Sequence, residues 1–466
     1  MVSSNLLFKT MSKITTLRNE MDSITLQMIK LFKIRIDISK QIGDLKSNLG
    51  LEITDETREK ALRNKVISLC SDIHLNKSEA IKFLNFLLCE SIKIQNNNKH
   101  NQSIFLRAKD LETQGKKIIH MEIGEPDFPP PINIRKALSE IHHHTQYTKY
   151  GEPKGAPELR SAIANKILSQ YHISDIDKNN IMICHGARFA IYLIMATVLD
   201  NEDEIIIIDP SWPAYKDCAS NFGIKTRIIK TNIENNWNPD ISEINSMINP
   251  NTKMIILNYP NNPTGKILNT DLQDQIIEIA NENNLYVLSD EIYSIYAYKP
   301  WRSISTYKYK NKIVVQSFSK SHSMTGFRIG YVIAPPNIIS KMSKLQSLCL
   351  TNVSSPIQYV ALKALYSDIT NNSTIVKSRL NMIEKLAKSI GLNFIQPNGA
   401  LYIFIQLPDC YDSVKLANKL LDCGLAISPG TMFGNYKNFI RLSVCQDTKQ
   451  LIEGMDILNN ILNGES

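Results

Sequence analysis

Lys320 sits in the stretch Gln316-Ser-Phe-Ser-Lys-Ser-His-Ser-Met-Thr-Gly-Phe-Arg-Ile-Gly-Tyr331, with a hydroxyl three residues before it at Ser317 and a fixed cation eight residues after it at Arg328. Gly326 and Gly330 let the backbone bend. A lysine so placed can form a Schiff base with an aldehyde while Ser317 and Arg328 hold a phosphate, which is what pyridoxal phosphate asks of its site. Taken alone, Ser-x-Ser-Lys reads more simply as a polar loop. Support has to come from other positions.

A second group of charged residues lies near the N-terminus. Arg35 falls in an otherwise apolar helical stripe, and Lys46 follows eleven residues on, nearly on the same side of a helix. Two cations facing a packed interior are costly unless an anion neutralises them. Downstream, Asp55, Arg58 and Glu59 share one helix face by i, i+3 and i+4 spacing, and Ser91 and Gln95 are i, i+4 neighbours. A helical dimerisation module with ordinary surface charges explains the same pattern.

The elements that must position this group are helices. Apolar residues at Ile14, Leu17, Met21, Ile24, Met28, Leu31, Ile38, Ile42 and Leu45 alternate steps of three and four. That heptad stripe predicts a helix of ~32 residues, roughly 48 Å long, which one small globule cannot bury and which therefore wants a partner helix. A break is expected at Asn48-Leu-Gly50, then an N-cap at Thr54 opening a second helix over 55–72, then a third over 77–95.

The segment from about 12 to 95 resembles the all-helical class of chorismate mutases. The family's active-site set of Arg, Arg, Lys, Asp, Arg, Glu, Ser and Gln falls without gaps on Arg18, Arg35, Lys46, Asp55, Arg58, Glu59, Ser91 and Gln95. The resemblance implies a three-helix module in an intertwined dimer, with Arg18 reaching into the neighbouring subunit's site. It also implies rearrangement of the chorismate dianion to prephenate. Arg18, Arg35 and Arg58 would fork the two carboxylates, Lys46 and Gln95 would donate to the ether oxygen, and Glu59 would hold the hydroxyl.

Asn96-Asn-Asn-Lys-His-Asn-Gln-Ser103 has no apolar periodicity and reads as a linker, with a boundary near 100. Beyond it, strand-like runs such as Ile205 to Ile208, Met254 to Leu257, Tyr286 to Leu288 and Ile313 to Val315 alternate with helical stretches, the pattern of a mainly parallel sheet covered by helices. Ligands in such sheets sit at the carboxyl ends of the strands, and chemistry-bearing residues stand there. In Ile183-Cys-His-Gly-Ala-Arg188 the amides of Gly186, Ala187 and Arg188 open a long helix and can hold phosphate. Asp209-Pro-Ser-Trp212 offers an indole face. Asn258-Tyr-Pro-Asn-Asn-Pro-Thr-Gly265 aims Asn262, and Ser289-Asp-Glu-Ile-Tyr293 supplies Asp290 and Tyr293. Singly, Trp212 could be core, the Asn-Pro-Thr-Gly run a surface turn and Asp290 a helix cap.

Jointly and in this order these motifs resemble the fold type I aminotransferases of the aspartate and aromatic group, from about 104 to the C-terminus. The resemblance implies a large domain over about 140–345 and a smaller α+β domain over about 104–139 and 346–466. It makes Lys320 the Schiff-base lysine and proton shuttle, pairs Asp290 with the pyridinium nitrogen of pyridoxal 5'-phosphate, puts Tyr293 and Asn262 on the phenolate oxygen and stacks Trp212 on the ring. The phosphate would fall to the amides near Ala187, to Ser317 and Arg328 with Ser319 beside them, and to Tyr150 across a subunit interface. Arg441 would fork the substrate α-carboxylate beside Gly124. One departure is Ala187-Arg188, where relatives often carry glycine or serine followed by lysine. No residue is assigned to a distal carboxylate.

Length and composition bound the rest. The 466 residues allow two or three domains, and 43% hydrophobic with 21% charged content is that of a globular protein. The net charge of +8 comes from 53 Lys and Arg dispersed among 45 Asp and Glu, without the basic block that nucleic acid would call for. Eight cysteines form no C-x-x-C pair, which suggests reduced thiols in the cytoplasm. His142, His143 and His144 adjoin an apparent helix and have no ligand cluster beside them, so no metal is expected. No apolar run is long enough for a membrane span, no secretory signal is expected at Met1, and Met11 is an alternative start.

Together the two resemblances imply a bifunctional enzyme of aromatic amino acid biosynthesis, a homodimer or higher homo-oligomer, and their union in one chain implies that the second site uses prephenate, phenylpyruvate or 4-hydroxyphenylpyruvate with glutamate or aspartate as donor. A general aspartate aminotransferase with a regulatory or dimerising helical module is the alternative.

Overall fold

A computed structural model describes residues 2–49, 55–96 and 103–464. By contact the chain divides into two units, Met1–Arg107 and Ala108–Ser466.

The first unit is built from α1 (Val2–Leu49), α2 (Glu56–Asp72) and α3 (Lys77–Asn96). Helix α1 has 48 residues and begins at Val2, ahead of the first stripe residue, Ile14. It also runs through Asn48, where a break was expected. Thr54 lies outside the described residues. The N-cap of α2 is Asp55, whose carboxylate accepts the Arg58 amide at 3.0 Å and so satisfies one of the first-turn donors. The shared interior is thin: Cys70, Leu84, Ser39 and Ser91 are buried, and Phe32 stacks on Phe86 at 5.7 Å. Along α1, Ile14, Leu17, Met21, Ile24, Met28, Leu31, Ile38 and Leu45 are all 43–67% exposed. This is an apolar face that its own chain leaves uncovered.

The second unit is centred on a seven-stranded sheet of β2 (Ile181–Cys184), β3 (Glu204–Asp209), β4 (Lys225–Lys230), β5 (Thr252–Asn258), β6 (Tyr286–Asp290), β7 (Lys312–Ser317) and β8 (Gly330–Ile333), in the order β2-β8-β7-β6-β5-β3-β4. Strand β8 runs antiparallel to both β2 and β7, and every other neighbouring pair is parallel. The central strands read as unbroken apolar runs because both faces are covered. Ile206, Ile208, Ile255, Leu257, Val287 and Val314 enter one core, and Ile205, Ile207, Met254, Ile256, Leu288, Ile313 and Val315 the other. A second sheet joins β9 (Asn393–Phe394), β10 (Tyr402–Gln406), β12 (Ser428–Pro429) and β13 (Phe439–Ser443), while β1 (Ile119–His120) pairs with β11 (Leu425–Ala426).

The helices Ile132–Glu140 and Ser355–Ala364 lie in segments that the sequence reading gave to the smaller domain. They pack with the large sheet: Ile134, Ala137, Val360, Ala361 and Ala364 belong to the same core as Ile206 and Val314. The parallel strands β3, β5, β6 and β7 end in Asp209, Asn258, Asp290 and Ser317, which sets four polar side chains at one edge of the sheet.

Candidate active sites

Lys320 lies in the short helix Phe318–Ser321 directly after β7. Ser317 caps it: its Oγ accepts the Ser319 amide at 3.1 Å and stands 2.9 Å from Ser319 Oγ and 3.2 Å from the Ile329 carbonyl. The Lys320 Nζ is buried and donates to the Gly124 carbonyl at 2.7 Å. Burial pushes its pKa down from the ordinary lysine value, favouring the neutral amine that attacks a carbonyl.

Asp290 is 1% exposed at the end of β6 and accepts from the Tyr215 hydroxyl at 2.7 Å. Asn258 at the end of β5 donates to its carbonyl at 3.0 Å. Burial raises the carboxyl to about 6, against the lowering effect of the Tyr215 hydrogen bond. Sequence reasoning missed Tyr215, which is the buried second residue of the helix Ala214–Asn221 and has no motif of its own.

A cradle for an anion forms where the helix Gly186–Val198 begins. Gly186 has φ +79, and a Cβ on it would stand 2.8 Å from Arg328 Nη2. A Cβ on Gly330 would meet the Ala187 amide nitrogen at 3.3 Å and the Gln316 carbonyl at 2.6 Å. The two glycines therefore let Arg328, the Ala187 amide and the Ser317 end of β7 come close together. Arg188 departs from this corner: its exposed guanidinium lies over the Trp212 ring at 4.8 Å, while Trp212 meets Tyr215 edge-on at 5.4 Å. Tyr150 is 90% exposed and packs against none of these groups.

Arg441 of β13 is buried. Its Nη1 donates to Asn262 Oδ1 at 2.9 Å and its Nη2 to Ser428 Oγ at 3.1 Å and to the Glu122 carbonyl, while its Nε has no partner. The guanidinium lies over Tyr402 at 4.3 Å and Phe433 at 5.0 Å. Tyr402 joins Tyr293 hydroxyl to hydroxyl at 2.8 Å, and a Cβ on Gly124 would coincide with the Tyr402 hydroxyl. Glycine at 124 is what allows that approach. Tyr402, like Tyr215, was not anticipated.

In the first unit, Arg35, Lys46, Asp55, Arg58, Glu59 and Ser91 line one cavity of about 320 Å³ together with Leu31, Ile38 and Leu88. Arg35 Nε is buried without a hydrogen-bond partner. Ser91 Oγ stands 3.1 Å from Ser39 Oγ and donates to the Leu87 carbonyl at 2.9 Å; Ser39 too was missed. Arg18 is exposed on α1 and does not line the cavity. The side chain of Gln95 lies outside the described residues.

Comparison with known proteins decides the family of each unit. Residues 116–458 match the family described as aminotransferase class I and II, and residues 17–96 match chorismate mutase type II. The chain belongs to the aminotransferase class I and II family. It also carries a chorismate mutase type II region at its N-terminus.

An aspartate aminotransferase of Thermotoga maritima is 32% identical over 361 residues, covering 77% of this chain and 94% of its own. An aspartate/prephenate aminotransferase of Thermus thermophilus is 28% identical over 364 residues, 76% and 94% of the two chains. The crystal structure of an aspartate aminotransferase from Thermotoga maritima superposes with a TM-score of 0.73 at 31% identity, covering 77% of this chain and 96% of that one. The large mixed sheet and the smaller antiparallel one are thus those of a fold type I aminotransferase.

Aminotransferases of this family depend on pyridoxal phosphate, and the residues present fit it. A buried carboxyl at Asp290 suits a protonated ring nitrogen. The close approach of Arg328 to Gly186 and of Gly330 to the Ala187 amide gathers donors that suit a phosphate, and the buried amine of Lys320 suits the aldehyde. Among the described residues no helix is long and apolar enough to cross a membrane.

Proposed function

We propose that the helical unit rearranges chorismate to prephenate. The larger unit then transaminates an aromatic-pathway keto acid, prephenate or (4-hydroxy)phenylpyruvate, with glutamate or aspartate as donor. The observation that carries the first half is the unpartnered, buried Nε of Arg35 in a cavity shared with Lys46 and Arg58, because a buried donor beside two more cations is stabilised by an anionic ligand. Arg35 and Arg58 grip the two carboxylates, Lys46 and Gln95 donate to the ether oxygen as negative charge develops on it, and Glu59 and Ser91 orient the remainder. No covalent step is needed: holding a compact conformer and stabilising the oxygen suffices. Asp55 acts through α2, fixing the turn from which Arg58 projects.

The bare apolar face of α1 supports pairing with α1 of a second copy. In such a homodimer Arg18 completes the partner's cavity, and Tyr150 contributes to the partner's phosphate corner.

In the larger unit, pyridoxal phosphate when bound supplies an aldehyde carbon for the amino group and a ring that accepts electrons. Lys320, as a neutral amine, would hold the aldehyde carbon and later carry the proton of the substrate Cα. Asp290, held ionised by Tyr215, would keep the ring nitrogen protonated. Tyr293 and Asn262 would hold the ring oxygen, and Trp212 would cover the ring face. The amides of Gly186, Ala187 and Arg188 with Ser317, Ser319 and Arg328 would hold the phosphate. Arg441, flanked by Gly124, forks the substrate α-carboxylate.

The acceptor assignment is supported by the union of the two units in one chain and by a relative named for both aspartate and prephenate. A second reading, general aspartate aminotransferase with a regulatory helical unit, is favoured by the relatives named for aspartate alone. Adding chorismate to the purified full chain distinguishes the two. The proposal requires loss of chorismate absorbance, whereas prephenate binding without chorismate turnover supports the regulatory reading.

A further inference from the structure

Strand β1 carries a chain of charges that ends at the substrate arginine. His120 Nδ1 meets Glu122 Oε1 at 2.8 Å, and its Nε2 meets Glu112 Oε1 at 3.0 Å. Glu112 also takes Lys109 at 2.8 Å, both on the helix Ile104–Thr113. The Glu122 side chain is 4% exposed, and its second oxygen, Oε2, is buried without a partner. The Glu122 carbonyl accepts from Arg441 Nη2 and from Ser428 Oγ, and two residues on the Gly124 carbonyl accepts from Lys320.

Both ring nitrogens of His120 face carboxylate oxygens. An imidazole with a carboxylate on each side holds both only as the imidazolium, since the neutral ring offers one N–H. On the other side of β1, strand β11 presents Leu425, and the helix Thr448–Leu462 presents Gly454 against Met121, Leu425 and Ile119, while Glu453 of that helix is taken by Lys117 at 3.0 Å. The groups bearing on the ring are therefore Glu112, Glu122 and, through Glu112, Lys109.

We propose that His120, bridging Glu112 and Glu122, is a positioning residue for the substrate carboxylate: it fixes Glu122, whose carbonyl aims the guanidinium of Arg441. This rests on the reading that Arg441 forks the carboxylate. Loss of the His120 proton leaves Glu122 buried and half-released, so the peptide that sets Arg441 is no longer held from its side-chain end. The two carboxylates raise the histidine's pKa, the hydrogen bond that Glu122 accepts most of all. A group whose folded pKa is raised gives its full contribution below the ordinary value of about 6.5 and loses it as pH rises through the raised value. Carboxylate binding should thus be tightest on the acid side of that transition.

The test is calorimetric titration of the pyridoxal-phosphate-loaded full chain with succinate, a dicarboxylate that cannot transaminate, across about pH 6 to 9. For His120→Gln the ratio of its Kd to that of the wild type should be about tenfold at the acid end and fall towards one at the alkaline end. His120→Lys, a cation throughout, should bind at the alkaline end as tightly as the wild type binds at the acid end, or more so. A ratio of one at every pH overturns the proposal, and so does a raised ratio that does not change with pH, which would mark a merely structural residue. Failure of wild-type protein to bind succinate at all would instead count against the aminotransferase reading.

Discussion

Tyr215 donates its hydroxyl proton to Asp290 Oδ2 at 2.7 Å, across 75 residues of sequence and with both side chains buried. Burial raises both groups, Tyr215 well above its ordinary value and Asp290 to about 6, so at neutral pH the proton stays on the phenol and the charge on the carboxylate. Tyr215→Phe keeps the ring and removes the donor. Since a hydrogen bond to a charged group contributes about 1.5–3 kcal/mol, kcat/KM for transamination should fall roughly tenfold or more with the melting temperature little changed. Unaltered kcat/KM would remove Tyr215 from the account.

The same carboxylate sets a pH dependence for cofactor retention. Below about 6 Asp290 takes up a proton and can no longer pair with a cationic ring nitrogen. The Kd of pyridoxal phosphate should rise about tenfold per pH unit on that side. Folding stability of the cofactor-free protein moves the other way, because the native state binds a proton that the unfolded chain, with an ordinary aspartate value of about 3.9, does not. Equilibrium dialysis of wild type and Asp290→Asn from about pH 7 to 5 checks both the slope and its disappearance.

Lys320→Ala should abolish transamination and the visible absorbance of lysine-bound cofactor while chorismate turnover by the same protein continues. Paired assays on one preparation provide the check. Full transamination by this variant would defeat the assignment of the lysine.

In the helical unit, Arg35→Ala and Lys46→Ala should each lower the rate of chorismate loss by about a hundredfold or more, the usual consequence of removing a donor aimed at developing negative charge. Transamination should be unaffected. Far-ultraviolet dichroism separates this from unfolding, and an undiminished rate would contradict the anion cavity.

Much of this was legible in the sequence, for identifiable reasons. The runs at Ile205, Met254, Tyr286 and Ile313 became strands because an unbroken apolar run rich in β-branched residues suits a strand buried on both faces. The second and third helices start and stop within a residue of their expected ends, since their boundaries carry polar caps and breaks. Helix α1 is longer than its stripe because apolar spacing marks only one face over part of a helix, and nothing before Ile14 forbids helix.

Groups that act by reaching across the fold stayed hidden. Tyr215, Tyr402 and Ser39 stand in no motif and look locally like ordinary core or surface residues, and the Glu112–His120–Glu122 bridge, though close in sequence, has no motif either. Asp55 was legible by type and position, but its work as the cap of α2 shows only in the backbone angles.

The most direct test of the central claim, that the two units serve one aromatic pathway, is a comparison of kcat/KM with glutamate as donor and prephenate, phenylpyruvate, 4-hydroxyphenylpyruvate and oxaloacetate as acceptors. The account predicts that at least one of the three ring-bearing acids matches or exceeds oxaloacetate. Use of oxaloacetate alone would contradict it.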